Sequence, residues 1–230
     1  MKILILDDEP AISGFVEINL KRADCETVTA ATGEEALSIV ENDPDIDIAL
    51  LDVMLPGIDG FEVCRRIRAM GRNIGIIMLS AKAQEMDKVT GLMIGADDYV
   101  PKPFSITELI ARIDSLSRRL SGRDCGLKKK DTEIVCGEFR LNKESRQFFR
   151  GKKEITLTQL EFLVMQYFMS NRNKAISRDE LLEAVWGSSY FGDAKIVDVN
   201  VRRLRIKVED DPADPKHLVA VWGFGYKWVG

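Results

Sequence analysis

The sequence predicts a doubly wound α/β domain, a five-stranded parallel sheet of order 2-1-3-4-5, followed by a smaller α+β domain. Three observations carry this. Short apolar runs alternate with segments of helical spacing over the first 120 residues, and that alternation is the mark of parallel βαβ units. Beyond residue 131 the order changes to strands, then helices, then strands. The charge changes with it: residues 1 to 120 hold 13 Lys and Arg against 21 Asp and Glu, a net of −8, whereas residues 121 to 230 hold 20 against 16, a net of +4. An acidic half joined to a basic half points to two domains with different partners, the basic one suited to nucleic acid.

Within the first half, strands are expected at "KILIL", "TVTAA", "IALLD", "IGIIMLS" and "DYV". Helical spacing follows the first two, through Ile12, Phe15, Val16 and Leu20, then Ala36, Leu37, Ile39 and Val40. Thr32 with Glu35, and Ser105 with Glu108, have the spacing of capping boxes, Asp59 is placed to cap a helix beginning near Gly60, and Pro56-Gly57 marks a turn. The stretch "SGRDCGLKKKD", residues 121 to 131, has no apolar period and reads as a linker. The second domain, residues 132 to 230, opens with strands in "IVCGEFRLN" and "RQFFRGKKEI". Helices then start at the boxes Thr158 to Glu161 and Ser177 to Glu180, a third spans about residues 194 to 208, and "HLVAVW" and "YKWVG" form a terminal hairpin through "GFG".

Composition excludes several chemistries. Cys25, Cys64, Cys125 and Cys136 are scattered with no CxxC, which argues against zinc and against a disulfide framework. His217 is the only histidine, so a Ser/His/Asp triad or a multi-His metal site would rest on that one residue, which is expected to be exposed in the loop before the hairpin. Neither a secretory h-region nor a membrane span can be drawn, which places the chain in the cytoplasm with no membrane partner.

The opening "ILILDDEP" runs apolar residues into Asp7, Asp8 and Glu9. In a sheet of this order ligands sit beyond the carboxyl ends of strands one and three, where the order reverses. Asp7 and Asp8 end strand one and Asp52 ends strand three, so three carboxylates converge. Their mutual repulsion calls for a cation, and a few carboxylates with waters suit Mg²⁺. Ser80 after strand four and Lys102 after strand five face the same edge. A carboxylate nucleophile, a hydroxyl donor and an ammonium together can hold a phosphoryl group, with Asp52 the natural acceptor.

"LDDEP", "LLDVMLPGIDG", "LSAK" and "GADDYVPKPF", in that order and spacing, resemble the receiver domain of a two-component response regulator across the whole first half. The resemblance implies that Asp52 takes a phosphoryl group from a histidine kinase and that Asp8, Asp52 and the Met54 carbonyl ligate Mg²⁺, with Asp7 assisting through water. It makes Ser80 and Tyr99 the switch pair and Lys102-Pro103 a cis peptide. Lys88, Asp97, Asp98, Glu108, Arg112 and Arg119 match a charged face that builds a symmetric receiver homodimer after phosphorylation. "LTQLEFLVMQYFM", "ISRDELLEAVW", "IVDVNVRRLRIKVE" and "VWGFGYKWVG" resemble the winged-helix effector of the OmpR/PhoB family. This implies a recognition helix read through Lys195, Val199, Asn200, Arg202, Arg203, Arg205 and Lys207, with Lys227 from the wing. On the helical wheel Arg203 lies away from Val197 and Val201 and is placed to read guanine, while Lys195 holds a phosphate. Binding to double-stranded DNA at direct repeats is implied, and residues 187 to 193 match a loop that meets RNA polymerase in relatives. Many relatives carry arginine where this chain has Trp222; the tryptophan is expected to pack instead.

Two competing readings are a DNA-binding regulator indifferent to phosphorylation and a Mg²⁺-dependent aspartyl phosphatase. The second wants an acid two residues after the nucleophile, where Met54 stands. The chain therefore reads as a regulator rather than an enzyme.

Overall fold

The structure, a computed structural model, describes residues 1–81, 93–120, 132–187, 190 and 194–230. The chain divides into two compact units, Met1–Leu120 and Ser121–Gly230. The linker stretch 121 to 131, Lys88 and most of the loop 187 to 193 lie outside the described residues.

The first unit is the expected parallel sheet, of β1 (Lys2–Leu6), β2 (Glu26–Ala30), β3 (Ile48–Asp52), β4 (Gly75–Ser80) and β5 (Asp98–Pro101), in the expected order β2-β1-β3-β4-β5. β3 and β4 are buried along their whole length, as expected of strands covered on both faces. Helix α1 (Pro10–Arg22) and helix α4 (Ile106–Leu120) cover one face, where Val16, Leu20, Leu109, Ile113 and Leu116 join Ile3, Ile5, Ile48, Leu50, Ile77 and Leu79 in one core. Helices α2 (Gly33–Asn42) and α3 (Gly60–Ala69) bury Ala36, Leu37, Val40, Val63 and Ile67. Each Leu, Ile or Val among them contributes about 1.5–3 kcal/mol when fully buried. The caps form where the spacing placed them: Thr32 accepts from the Glu35 N–H at 3.2 Å and Asp59 from the Glu62 N–H at 2.8 Å. Phe15 departs from expectation, standing exposed on α1 with Ile18 rather than in the core.

The second unit has an antiparallel four-stranded sheet, β6 (Glu133–Cys136), β7 (Phe139–Asn142), β8 (Gln147–Arg150) and β9 (Lys153–Glu154), then helices α5 (Gln159–Ser170), α6 (Arg178–Trp186) and α7 (Lys195–Val208). A second sheet follows in the order β10-β12-β11, with the hairpin β11 (Leu218–Val221) and β12 (Gly225–Trp228) extended by β10 (Ala175–Ser177). The sequence reading missed β10, since three residues are too few to show a period. His217 is not simply exposed: its ring lies 4.8 Å from Phe139 and 5.7 Å from Trp228, centroid to centroid.

One buried acid ties the helices together. Glu161 completes the capping box at Thr158, accepting the Thr158 N–H at 2.8 Å. Its carboxylate also takes the Lys207 ammonium at 2.6 Å and lies 3.0 Å from Arg203 Nε, both on α7. Burial pushes this carboxyl's pKa up, but Arg203 and Lys207 outweigh that and hold it below the ordinary glutamate value. A depressed folded pKa contributes stability above the unfolded value and loses it as pH falls through the folded one. Glu161→Gln is therefore expected to destabilise the second unit at pH 7 by about 3–5 kcal/mol, the usual cost of leaving one side of a buried pair. The difference from the parent should shrink below pH 4. Urea unfolding followed by tryptophan emission measures it, because Trp186, Trp222 and Trp228 all lie in this unit.

Candidate functional site

The carboxyl ends of β1 and β3 bring Asp7 and Asp52 together, as the strand order requires. Gly60, the first residue of α3, lets the chain turn back against β3: a Cβ there would stand 2.0 Å from the Asp52 carbonyl oxygen. Val53 N–H bonds to the Leu79 carbonyl at 2.9 Å and fixes the backbone just past Asp52. The Lys102 ammonium reaches across from the end of β5, 2.7 Å from Asp7 Oδ2 and 2.7 Å from Asp52 Oδ2. Its backbone N–H donates to the Ser80 carbonyl at 2.7 Å, and Lys102-Pro103 is cis.

Oxygens of Asp7, Asp8 and Asp52 lie within 4.8 Å of one another, with Asp7 and Asp52 buried and Asp8 exposed. Asp7 Oδ1 accepts the Glu9 N–H at 3.0 Å, and Asp52 Oδ1 accepts the Met54 N–H at 3.1 Å. Each carboxylate is thus oriented by its own strand end, while one ammonium balances two acids. A hard divalent cation fits this donor set, since three carboxylates share one local positive charge and Asp8 opens the cluster to water. Burial pulls the Lys102 pKa down, but hydrogen bonds to Asp52 and Asp7 outweigh it and hold the ammonium above its ordinary value. A raised lysine pKa contributes stability that is complete below the unfolded value and lost as pH rises through the folded one.

Ser80 is wholly buried and Tyr99, directly across the β4–β5 pair from Met78, is turned inward. The charged face expected to join two chains is internally paired. Asp98 lies 3.0 Å from Arg112 and Glu108 2.7 Å from the same guanidinium, while Asp97 takes Arg68 at 2.7 Å. Arg119 Nε donates to the Ser115 carbonyl at 3.0 Å.

The basic helix α7 departs further from expectation. Its buried arc takes in Val199, Asn200 and Arg203 as well as Val197, Val201 and Leu204. Asn200 Nδ2 donates to the Ile196 carbonyl at 2.8 Å within its own helix. Arg203 and Lys207 turn toward Glu161, so neither presents its charge as the wheel suggested. Arg205 donates to the Leu218 carbonyl at 2.8 Å and lies over the Tyr226 ring. Lys195 and Arg202 stand on the exposed side, and Lys227 is half-buried in the hairpin. Trp222 does not pack: it is 98% exposed. Arg178, missed in the sequence, pairs with Asp198 of α7 at 2.8 Å and lies over Tyr226, whose hydroxyl donates to Asp198 at 2.7 Å. No spacing rule links residues so far apart in the chain.

Residues 3–114 match the model of the response regulator receiver domain, and residues 152–228 that of the transcriptional regulatory protein C-terminal domain. DrrB of Thermotoga maritima, described as an OmpR/PhoB homolog, is 30% identical over 100% of this chain and 99% of its own, with a TM-score of 0.50. The chain belongs to the OmpR/PhoB family of response regulators. A RitR mutant matches over 100% of this chain and 99% of its own at 26% identity and a TM-score of 0.77. A CheY-like receiver domain protein from Methanospirillum hungatei covers 53% of this chain and 97% of its own at 30% identity and a TM-score of 0.51. The response regulator thus pairs a receiver with a DNA-binding effector and acts as a transcription factor of a two-component system. Its family is one of DNA binders, not in general of enzymes, and among the described residues no helix is long and apolar enough to cross a membrane.

Lys102→Met would leave Asp7 and Asp52 facing each other across a buried gap. The substitution should lower receiver stability at pH 7 by about 3–5 kcal/mol, with part of the loss recovered in Mg²⁺. Amide hydrogen exchange in β1 and β3, read for both proteins up to pH 11, checks it. The parent should loosen above pH 10 and the variant should lack that transition.

Proposed function

We propose that Asp52 accepts a phosphoryl group from the phosphohistidine of a sensor kinase, and that the modified receiver drives dimerisation and DNA binding in the cytoplasm. The observation that carries this is the Lys102 ammonium spanning Asp7 and Asp52 at 2.7 Å each beside a third carboxylate, Asp8. Mg²⁺, held by Asp7, Asp8, Asp52 and the Met54 carbonyl, would supply charge neutralisation for an incoming phosphoryl oxygen. Asp52 Oδ attacks phosphorus as the kinase N–P bond breaks, and Lys102 stays paired with Asp7 while it meets the new anion. Ser80 sits on β4, next to the strand that carries Tyr99, and so is the nearest route by which the change reaches the α4–β5 side.

Homodimerisation through Asp97, Asp98, Glu108, Arg112, Arg119 and Lys88 requires an exchange of ion pairs. Arg112 must give up Asp98 or Glu108 within its own chain for an acid of a second copy, which replaces like with like and costs little in net charge pairing. This suits a switch whose two states differ by a few kcal/mol. The effector, joined to the receiver through a linker at 121 to 131, would set α7 in the major groove of direct repeats spaced about 10 base pairs apart. Lys195 and Arg202 are the basic residues on its exposed side; Lys227 from the hairpin is offered to phosphate, and Arg205 instead braces the hairpin. The loop at 187 to 193 is the candidate surface for RNA polymerase.

With acetyl phosphate and Mg²⁺, peptide mapping should place a single phosphoryl group on Asp52. Labelling that persists in Asp52→Ala or in EDTA contradicts the assignment. Light scattering on the beryllofluoride complex should show a dimer, and Arg112→Glu should return it to monomer. On DNA, Arg202→Ala should weaken binding by roughly 1–3 kcal/mol with unchanged stability, whereas Arg203→Ala should lower the effector's unfolding midpoint, as measured by titration and urea unfolding of both variants.

A further inference from the structure

Arg68, in the last turn of α3, spends its guanidinium on the chain around the start of β4 and the approach to β5. Its Nε donates to the Gly95 carbonyl at 2.8 Å, Nη1 to the Ile74 carbonyl, and Nη2 to Asp97 Oδ2 at 2.7 Å. Gly95 stands at φ +134°, and a Cβ there would lie 2.8 Å from Arg68 Cγ, so the side chain crosses the backbone where glycine alone leaves it room. Residues 95 to 97 are thereby strapped to α3.

The strap turns Asp97 inward. Its carboxyl is buried, at 2% residue exposure, and Oδ2 accepts the Ile76 N–H at 2.8 Å as well as Arg68, while the Asp97 N–H donates to the Ile76 carbonyl at 2.8 Å. Oδ1 is buried too, yet it accepts no hydrogen bond among the described residues. One oxygen therefore carries two donors and the other none, and a buried acceptor left without a donor costs stability. The inward pose is held by Arg68 against that cost. Asp98 differs, for its partner Arg112 belongs to the same charged face, whereas Arg68 on α3 is not among the residues that build that face.

We propose that Arg68 is a latch that opposes receiver dimerisation by withholding Asp97 from a second copy of the chain. The latch rests on the dimer reading above and adds to it the contact that holds the monomer. Opening it swings Asp97 outward, where a cation of the second copy or water can satisfy both oxygens. Without Arg68 the inward carboxylate is a buried charge with no cation beside it, while the outward carboxylate loses nothing. Loss of the arginine therefore favours the form that can dimerise, which is not what the loss of a merely structural ion pair would do. The Ile76 amide reports the latch, because it is bonded to the same Asp97 oxygen as Arg68.

The test uses the full chain with Mg²⁺, light scattering over a range of protein concentrations, and amide hydrogen exchange at Ile76 measured against the amides of β3. In the parent, beryllofluoride should form the dimer and speed exchange at Ile76. Arg68→Met without beryllofluoride should dimerise at about tenfold lower concentration than the parent, with the Ile76 amide already fast, and Arg68→Lys, which keeps the charge but not the fork, should fall between. In an Asp97→Asn background Arg68→Met should no longer change the dimerisation constant, since the side chain it releases brings no charge to a second copy. A parent dimer that forms with Ile76 exchange unchanged overturns the latch. So do arginine variants that dimerise no more readily than the parent, or an Arg68→Met effect that survives Asp97→Asn. Should Arg68→Met fail to fold, the lysine variant and the Ile76 amide of the parent still decide. A parent that stays monomeric with beryllofluoride instead sinks the dimer reading, and the latch with it.

Discussion

One ammonium between two buried carboxylates sets the character of the receiver. Lys102 Nζ stands 2.7 Å from both Asp7 and Asp52, so one positive charge is shared between two buried acids, and removing it would leave them facing each other unpaired. The pairing depends on topology as much as on charge. Asp7 and Asp52 are neighbours only because β1 and β3 are adjacent, and Lys102 reaches them only because β5 ends on the same side. Once Asp8 is counted, three carboxylates face one ammonium, an excess of two negative charges that suits a divalent cation.

The effector uses the same device for the opposite end. Glu161, wholly buried at the start of α5, gathers Arg203 and Lys207 from α7 and so fixes the angle at which α7 crosses the domain. In the receiver one ammonium serves more carboxylates than it can balance; in the effector the buried acid meets two cations of the same domain. The Arg178, Asp198 and Tyr226 cluster ties α7 to the hairpin as well.

The fold was legible because it rests on local periods and on caps. Thr32, Asp59, Thr158 and Ser177 each accept the backbone N–H that their spacing predicted. Asp7, Asp52 and Lys102 were legible because strand ends are fixed by the sheet. Arg203 was not, for a helical wheel records only its own helix and has no view of an acid on α5. A narrow apolar stripe suggested that Arg203 faced outward, but packing on more than one side widened the buried arc to include Val199, Asn200 and Arg203. Trp222 failed in the other direction: composition says that tryptophan is buried, and only the three-residue turn reveals that the indole has nothing beside it to pack on. Arg178 and β10 left no local signal at all.

The central claim, that Lys102 is the charge shared between Asp7 and Asp52 and the group that meets the phosphoryl oxygen, is tested most directly by ¹⁵N NMR of lysine ammonium groups. A buried, doubly hydrogen-bonded ammonium exchanges its protons slowly, so Lys102 should give a resolved NH₃⁺ signal that Lys102→Met removes. That signal should move on adding Mg²⁺ and move again with acetyl phosphate, and the second change should be absent in Asp52→Asn. A Lys102 signal that stays in place through phosphorylation of Asp52 would contradict the claim.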